Sequence, residues 1–169
     1  MSYRMTVLLL LFFTVAQTWA QQCDQRTRPL SSPNDGFYIN GDGTVTHIDS
    51  GLTWMRCPVG QHWDGKTCTG QARQLTWAEA MREADQYRRR NHHGQWRVPR
   101  LPELALIIER QCLEPKINLS IFPNTPSAPF WTATQRGKSE QFYTVDFEQH
   151  GMQAQAQQQR FYLRLVSGR

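Results

Sequence analysis

Residues 60–67 read GQHWDGKT and satisfy G-x-x-x-x-G-K-[ST], the pattern in which backbone amides cradle phosphates and a lysine reaches their terminal oxygens. A true phosphate loop needs a buried strand running into it and a helix running out of it. The flanks do not supply them. Leu52 to Cys57 reads as a strand, but Pro58 follows at once, and behind Lys66-Thr67 comes Cys68-Thr69-Gly70 with no helical pattern to aim amides at an anion. With Cys57 and Cys68 on either side, the segment is expected to be a disulfide-closed polar loop, and no nucleotide is expected to bind.

The disulfide reading draws on the N-terminus. Arg4 precedes the apolar run MTVLLLLFFTVA, and Thr18-Trp19-Ala20 carries small residues where a signal peptidase reads, so residues 1–20 are expected to be a signal peptide cleaved after Ala20. The run is short for a membrane span, and Ala-Gln-Gln before Cys23 is not a lipobox. The expected product is exported, periplasmic or at the cell surface, with no membrane span left. All four cysteines lie beyond the leader, an even number that allows three pairings in an oxidising compartment. The reading favours Cys57 with Cys68, and Cys23 with Cys112, which would tie a loose arm to the body. Each bridge is worth ~3 kcal/mol.

The remaining chain suits one domain. Residues 21–35 are polar with Pro29 and Pro33 and read as an extended arm, leaving 36–169 as the folded unit. From Phe37 short β-branched and aromatic runs alternate with Gly, Asp and Asn turns, which places strands near 36–40, 44–48 and 52–57. TWAEAMREADQYRRR follows: Thr76 and Glu79 form a capping box, and Trp77, Ala80, Met81, Ala84 and Tyr87 share one face, predicting a helix over 77–90. Pro102, Leu104, Ile107 and Ile108 predict a second helix ending near Cys112. PFWTATQ, QFYTVDFEQ and RFYLRLV read as strands, with turns at Gly137-Lys138-Ser139 and His150-Gly151. MQAQAQQQR reads as a solvated loop. Strands, two helices, then strands make an α+β domain.

Five of these pieces, in this order, resemble the Lcl C-terminal domain family, named for the end domain of a bacterial collagen-like adhesin: GTVTHIDSGLTWMRC (43–57), GQHWDGKTCTG (60–70), LTWAEAM (75–81), WRVPRLPEL (96–104) and CLEPKINLSIFPNTPSAPFWTAT (112–134). QFYTVDF and FYLRLV close the match. The resemblance implies an exported domain related to the C-type-lectin-like fold, a looped mixed sheet with two helices and disulfide-stapled loops. In the adhesin such a domain binds sulfated polysaccharides. The sequence departs from the family at Arg100, where a Thr is usual and would cap a helix, and at His47, where an acidic residue is common. It contains no collagen-like repeat.

The chain carries Lys+Arg 19 against Asp+Glu 14, a net charge of +5, of which Arg4 belongs to the leader. That is a bias and not a polycation. The most basic segment is RRRNHHGQWRVPR, Arg88 to Arg100. Cations at a helix C-terminus offset its dipole, but arginine forks also match sulfate and carboxylate, and Arg97 and Arg100 bracket a rigid Val-Pro. The candidate polyanion site is therefore Arg88, Arg89, Arg90, Arg97 and Arg100, with Lys66, Arg73 and Trp63 nearby. Trp54, Trp77, Trp96 and Trp131 sit in strand or helix patterns and are expected in the core; Trp63, in the polar loop, is expected to be partly exposed.

Other chemistry finds little footing. His92-His93 is the one histidine cluster, and adjacent histidines lack i, i+4 geometry, so no metal is expected. Asp42, Asp49, Asp64 and Asp146 are scattered, and Glu114-Pro115-Lys116 only partly echoes the Glu-Pro-Asn motif of sugar-binding lectins. There is no nucleophile elbow, and the reactive cysteines on which formylglycine-generating enzymes of related fold depend would here be oxidised. The expectation is a non-enzymatic domain without cofactor that binds a glycan or sulfated polysaccharide; the alternative is an envelope assembly or accessory protein with a protein partner. An exported chain seldom meets nucleic acid, and a homo-oligomer is compatible with the sequence.

Overall fold

The computed structural model describes residues 21–24, 29–91, 94–148 and 151–168. The expected signal peptide, the His92-His93 pair and His150 lie outside the described residues. In chain order the elements are β1 (Gln22–Cys23), a 3-10 turn (Asn34–Gly36), β2 (Phe37–Ile39), β3 (Thr44–His47), β4 (Thr53–Met55), β5 (Gln61–Trp63), β6 (Cys68–Gly70), α1 (Trp77–Arg90), α2 (Leu101–Ala105), β7 (Cys112–Leu113), β8 (Pro129–Gln135), β9 (Gln141–Asp146), β10 (Gly151–Ala156) and β11 (Val166–Ser167). Two helices among small antiparallel sheets make a mixed α+β fold, as the sequence indicates.

The three strands expected between 36 and 57 form consecutive hairpins, and the chain end joins them to give the order β11-β4-β3-β2. A second sheet runs β10-β9-β8. Its strands β8 and β9 are buried on both faces, and β10 is the exposed edge. Phe130 and Val145 contribute to one core cluster with Val45, Trp54, Leu104 and Phe122; Trp131 and Phe142 contribute to another with Leu75, Ala80, Ala84, Leu163 and Leu165 beneath α1. Strand periodicity explains the split, because successive residues point to opposite sides.

Helix α1 runs over the span expected, with both halves of the capping box formed: Thr76 Oγ1 accepts from the Glu79 amide at 3.3 Å and Glu79 accepts from the Thr76 amide at 2.8 Å. Ala80 and Ala84 are buried, whereas Met81, expected on the same face, is 38% exposed. Trp54, Trp96 and Trp131 are buried; Trp77 is only half-buried, stacked on Phe142 at 3.7 Å.

Three segments differ from the sequence reading. The second helix stops at Ala105, because the Leu106 and Ile108 amides turn back to Glu103 and Ala105 and Ile108 then bridges Ile117. The first part of the Gln/Ala tract, Met152–Ala156, belongs to strand β10, which pairs with β9 along its whole length, while residues 157–160 form the expected loop. An edge strand needs backbone partners more than apolar side chains, so composition conceals it. RFYLRLV is not a continuous strand: Phe161 and Tyr162 make isolated bridges and only Val166 enters a sheet, while Arg164 between them is fully buried and donates to carbonyl groups.

Both disulfides form with the favoured pairing, Cys23–Cys112 and Cys57–Cys68. The first lies within the β1–β7 pair and fastens the arm. Glu109, 1% exposed, fastens it again: its carboxylate accepts from the Ser31 and Ser32 amides at 3.1 and 2.8 Å and from the Gln111 amide at 2.9 Å.

Candidate functional site

The loop that resembles a phosphate binder is a β-hairpin. Lys66-Thr67 leads into strand β6 and not into a helix, and the Lys66 and Thr67 amides that a phosphate would need both donate to Asp64 Oδ1, at 2.8 and 2.7 Å. Those amides hold the Asp64 carboxyl below its ordinary range, Thr67 first and Lys66 next. The anion in this nest is the chain's own side chain.

The hairpin is fixed against the rest of the fold by close approaches. Gly60 lies so near Gln71 and Arg73 that an added Cβ would stand 2.5 Å from the Gln71 oxygen, and its φ of 99° is one that glycine alone adopts freely. Gly43, at φ 84°, admits Trp63 in the same way, a Cβ there meeting Trp63 Cβ at 2.7 Å. Over the Trp63 ring lies the Arg56 guanidinium, 4.2 Å from its centroid. Trp63 is half-buried, partly exposed as expected.

Arg56 is one of two buried arginines that the sequence reading passed over. It donates to the Ser120 and Ile121 carbonyls at 2.9 and 2.8 Å, and burial lowers its pKa. Arg164, fully buried, donates to the Met55 carbonyl at 2.7 Å, the Arg56 carbonyl and Thr125 Oγ1 at 2.6 Å, with its guanidinium 4.7 Å from the Phe122 ring centre. Burial, helped by the nearby Arg56 charge, lowers its pKa to about 9, so it stays protonated at neutral pH. Neither cation has a carboxylate partner among the described residues. Backbone dipoles and ring faces take that place. The signal in the sequence was an arginine between two leucines in an apolar run, FYLRLV.

Between this hairpin and α1 opens a cleft of about 400 Å³, within the usual range for small-ligand sites. Its lining includes Gln61, His62, Trp63 and Arg73, Glu83 and Tyr87 one helical turn apart on α1, and Asp42. Asp42 Oδ1 is fixed by the Thr44 amide and hydroxyl at 3.0 and 2.5 Å. Among the described residues the Tyr87 hydroxyl has only the Met55 sulfur, at 3.8 Å, and its pKa is raised by burial and by the Asp42 charge. Trp63 Nε1 and Gln61 Oε1 are buried without a hydrogen-bond partner among the described residues.

The candidate polyanion residues divide by partner. Trp63 and Arg73 line the cleft, with Arg73 Nη2 on Glu83 Oε1 at 2.5 Å. Lys66 is exposed on the hairpin turn. Arg88 and Arg89 share Asp85, the Arg89 contact at 2.8 Å, and their side chains remain 57% and 76% exposed. Arg90 and Arg100 are exposed and make no ion pair among the described residues. Arg97 is locked inward, on Glu103 and on the Gly168 carbonyl at 3.1 Å. The cap that Arg100 lacks comes from elsewhere: Thr134 Oγ1 of β8 accepts from the Leu101 amide at 2.9 Å, and Glu103 accepts from the Arg100 amide. No group of three His, Cys, Asp or Glu side chains able to hold a metal occurs among the described residues. Asp146, one of the scattered carboxylates, is turned to the Glu148 amide at 2.8 Å.

The family model of the Lcl C-terminal domain matches residues 43–167. The chain belongs to that family. In this Lcl C-terminal domain the matched span holds the hairpin, α1 and the cleft lining apart from Asp42, while β1, the 3-10 turn and β2 lie before it. No curated protein and no solved structure matches the chain.

Proposed function

We propose that this Lcl C-terminal domain is an exported, non-enzymatic binding module for a glycan, with an anionic surface polysaccharide held at the last turn of α1. The observation that carries the reading is the charge left over there: Arg88, Arg89 and Arg90 face solvent with Asp85 as their one carboxylate partner among the described residues. Arginine forks suit sulfate and carboxylate groups, and the helix C-terminus orients cations outward at no cost to the fold. Export is supported by the two disulfides and by the absence, among the described residues, of a helix long and apolar enough to cross a membrane. Family membership, two helices and disulfide-stapled loops support a C-type-lectin-like arrangement.

A glycan array spanning neutral and sulfated polymers tests the reading. Binding to anionic glycans that falls when Arg88, Arg89 and Arg90 are replaced by Ala supports it. Silence across the array, together with a protein captured by crosslinking in the periplasm, supports the envelope-assembly alternative. That alternative has one observation of its own: edge strand β2 exposes Tyr38 (66%) and Ile39 (44%) beside Ile48 (57%).

A further inference from the structure

The cleft beside α1 has the opposite electrostatic character from the chain as a whole. Its lining includes two carboxylates, Asp42 and Glu83, and one guanidinium, Arg73, which Glu83 already neutralises at 2.5 Å. A sulfate or uronate entering would face Asp42 with no unpaired cation among the lining residues. An ammonium would be attracted.

The acceptors are open. Asp42 Oδ1 is taken by Thr44, but its other oxygen receives no hydrogen bond from a described residue, and neither does Glu83 Oε2. Among the described residues the Tyr87 hydroxyl is held only by a thioether, a weak acceptor that a ligand oxygen readily displaces. The Trp63 ring and Gln61 also line the cleft, and Trp63 Nε1, a donor, and Gln61 Oε1, an acceptor, are buried without a hydrogen-bond partner among the described residues. The walls are built to stay in place by the Cys57–Cys68 bridge and the glycine contacts at 43 and 60. An aromatic, preformed cleft whose lining carries two carboxylates against one guanidinium suits a polyhydroxylated cation.

We propose that this cleft binds a saccharide unit bearing a free amino group, a hexosamine, with its ammonium taken by Asp42 and Glu83. The proposal rests on reading the domain as a glycan binder but not on the polyanion surface of α1.

The test is calorimetric titration of the disulfide-bonded protein at mildly acidic pH with a β-1,4-glucosamine tetramer, its N-acetylated counterpart and a heparin oligosaccharide. The glucosamine tetramer is expected to bind more tightly than the acetylated one. Asp42→Asn and Glu83→Gln should each weaken it about tenfold, the loss of one charged hydrogen bond, and leave heparin binding undiminished. Asn at 42 retains an oxygen for Thr44; if Glu83→Gln unfolds by releasing Arg73, Tyr87→Phe, which keeps its packing on Trp96, gives the second reading and should also weaken the tetramer. Equal affinity for the two tetramers, or unchanged affinity in the variants that fold, overturns the proposal. Heparin binding without glucosamine binding sinks the cleft alone, whereas glucosamine binding without heparin sinks the polyanion surface alone.

Discussion

Arg97 lays Nη1 and Nη2 on the two carboxylate oxygens of Glu103, each at 2.7 Å, in the bidentate arrangement of an internal strut. The strut joins the segment after α1 to the start of α2 and, through the Gly168 carbonyl, to the chain end. Arg97 is therefore spent on the fold, although its position in WRVPR made it a candidate for ligand contact.

Arg97→Ala should lower stability by about 2 kcal/mol, the cost of truncating a charged, partly buried hydrogen-bonded pair, with heparin affinity per folded molecule unchanged. Thermal denaturation and affinity measured on the same preparation check this. A loss of affinity at constant melting temperature would return Arg97 to the binding surface.

Acid should loosen the fold through two carboxylates. Burial pushes Glu109 up, but the Gln111, Ser31 and Ser32 amides outweigh it; burial pushes Glu103 up, and Arg97 with the Arg100 amide outweighs that. Both end below the ordinary carboxylate range. A lowered native pKa means stability that is full above the unfolded value and is lost as pH falls through the folded one. Glu109→Gln should cost about 2 kcal/mol at neutral pH, because an amide cannot accept from all its backbone donors, and should flatten the acid limb of a stability–pH curve. Cleavage of the N-terminal arm by protease should quicken in the same variant. An unaltered acid limb would show that Glu109 does not anchor the arm.

Arg164→Ala should be the most damaging single change considered, about 3 kcal/mol or more, since it empties a volume beside Phe122 and strips partners from the Met55 and Arg56 carbonyls. Urea denaturation measures it. A loss below about 1 kcal/mol would mean that those carbonyls find other partners.

Much of the fold was legible because its signals are local. The Thr76–Glu79 capping box fixes where α1 starts, Asn91 donates back to Tyr87 where it stops, and the Gly/Asp turns separate β2, β3 and β4. What escaped depends on partners far along the chain. MQAQA has no strand signature of its own and is a strand because β9 lies beside it. Arg164 looks like one polar residue in an apolar run until Thr125 and Met55 are brought to it. The candidate site was legible in part: Trp63 and Arg73 do share a cleft, but Asp42, Glu83 and Tyr87, which complete it, sit on separate elements with no motif linking them.

The two bridges should be recovered intact by peptide mapping under non-reducing conditions, as Cys23–Cys112 and Cys57–Cys68. Breaking the second with Cys57→Ser and Cys68→Ser should cost about 3 kcal/mol and shift the Trp63 fluorescence as the hairpin loosens. A free thiol at Cys57 or Cys68 in native protein would remove the basis for the hairpin's rigidity.

The central claim, a glycan-binding module with a polyanion surface at the end of α1, is tested most directly by heparin affinity as a function of salt. Each sulfate neutralised releases a counterion, as at phosphate polyanions, so log affinity should fall linearly with log salt. Replacing Arg88, Arg89 and Arg90 together with Ala should flatten that slope and weaken binding at low salt, with the melting temperature nearly unchanged because these side chains are exposed. A slope identical in wild type and triple variant, or no heparin binding at low salt, would contradict the account.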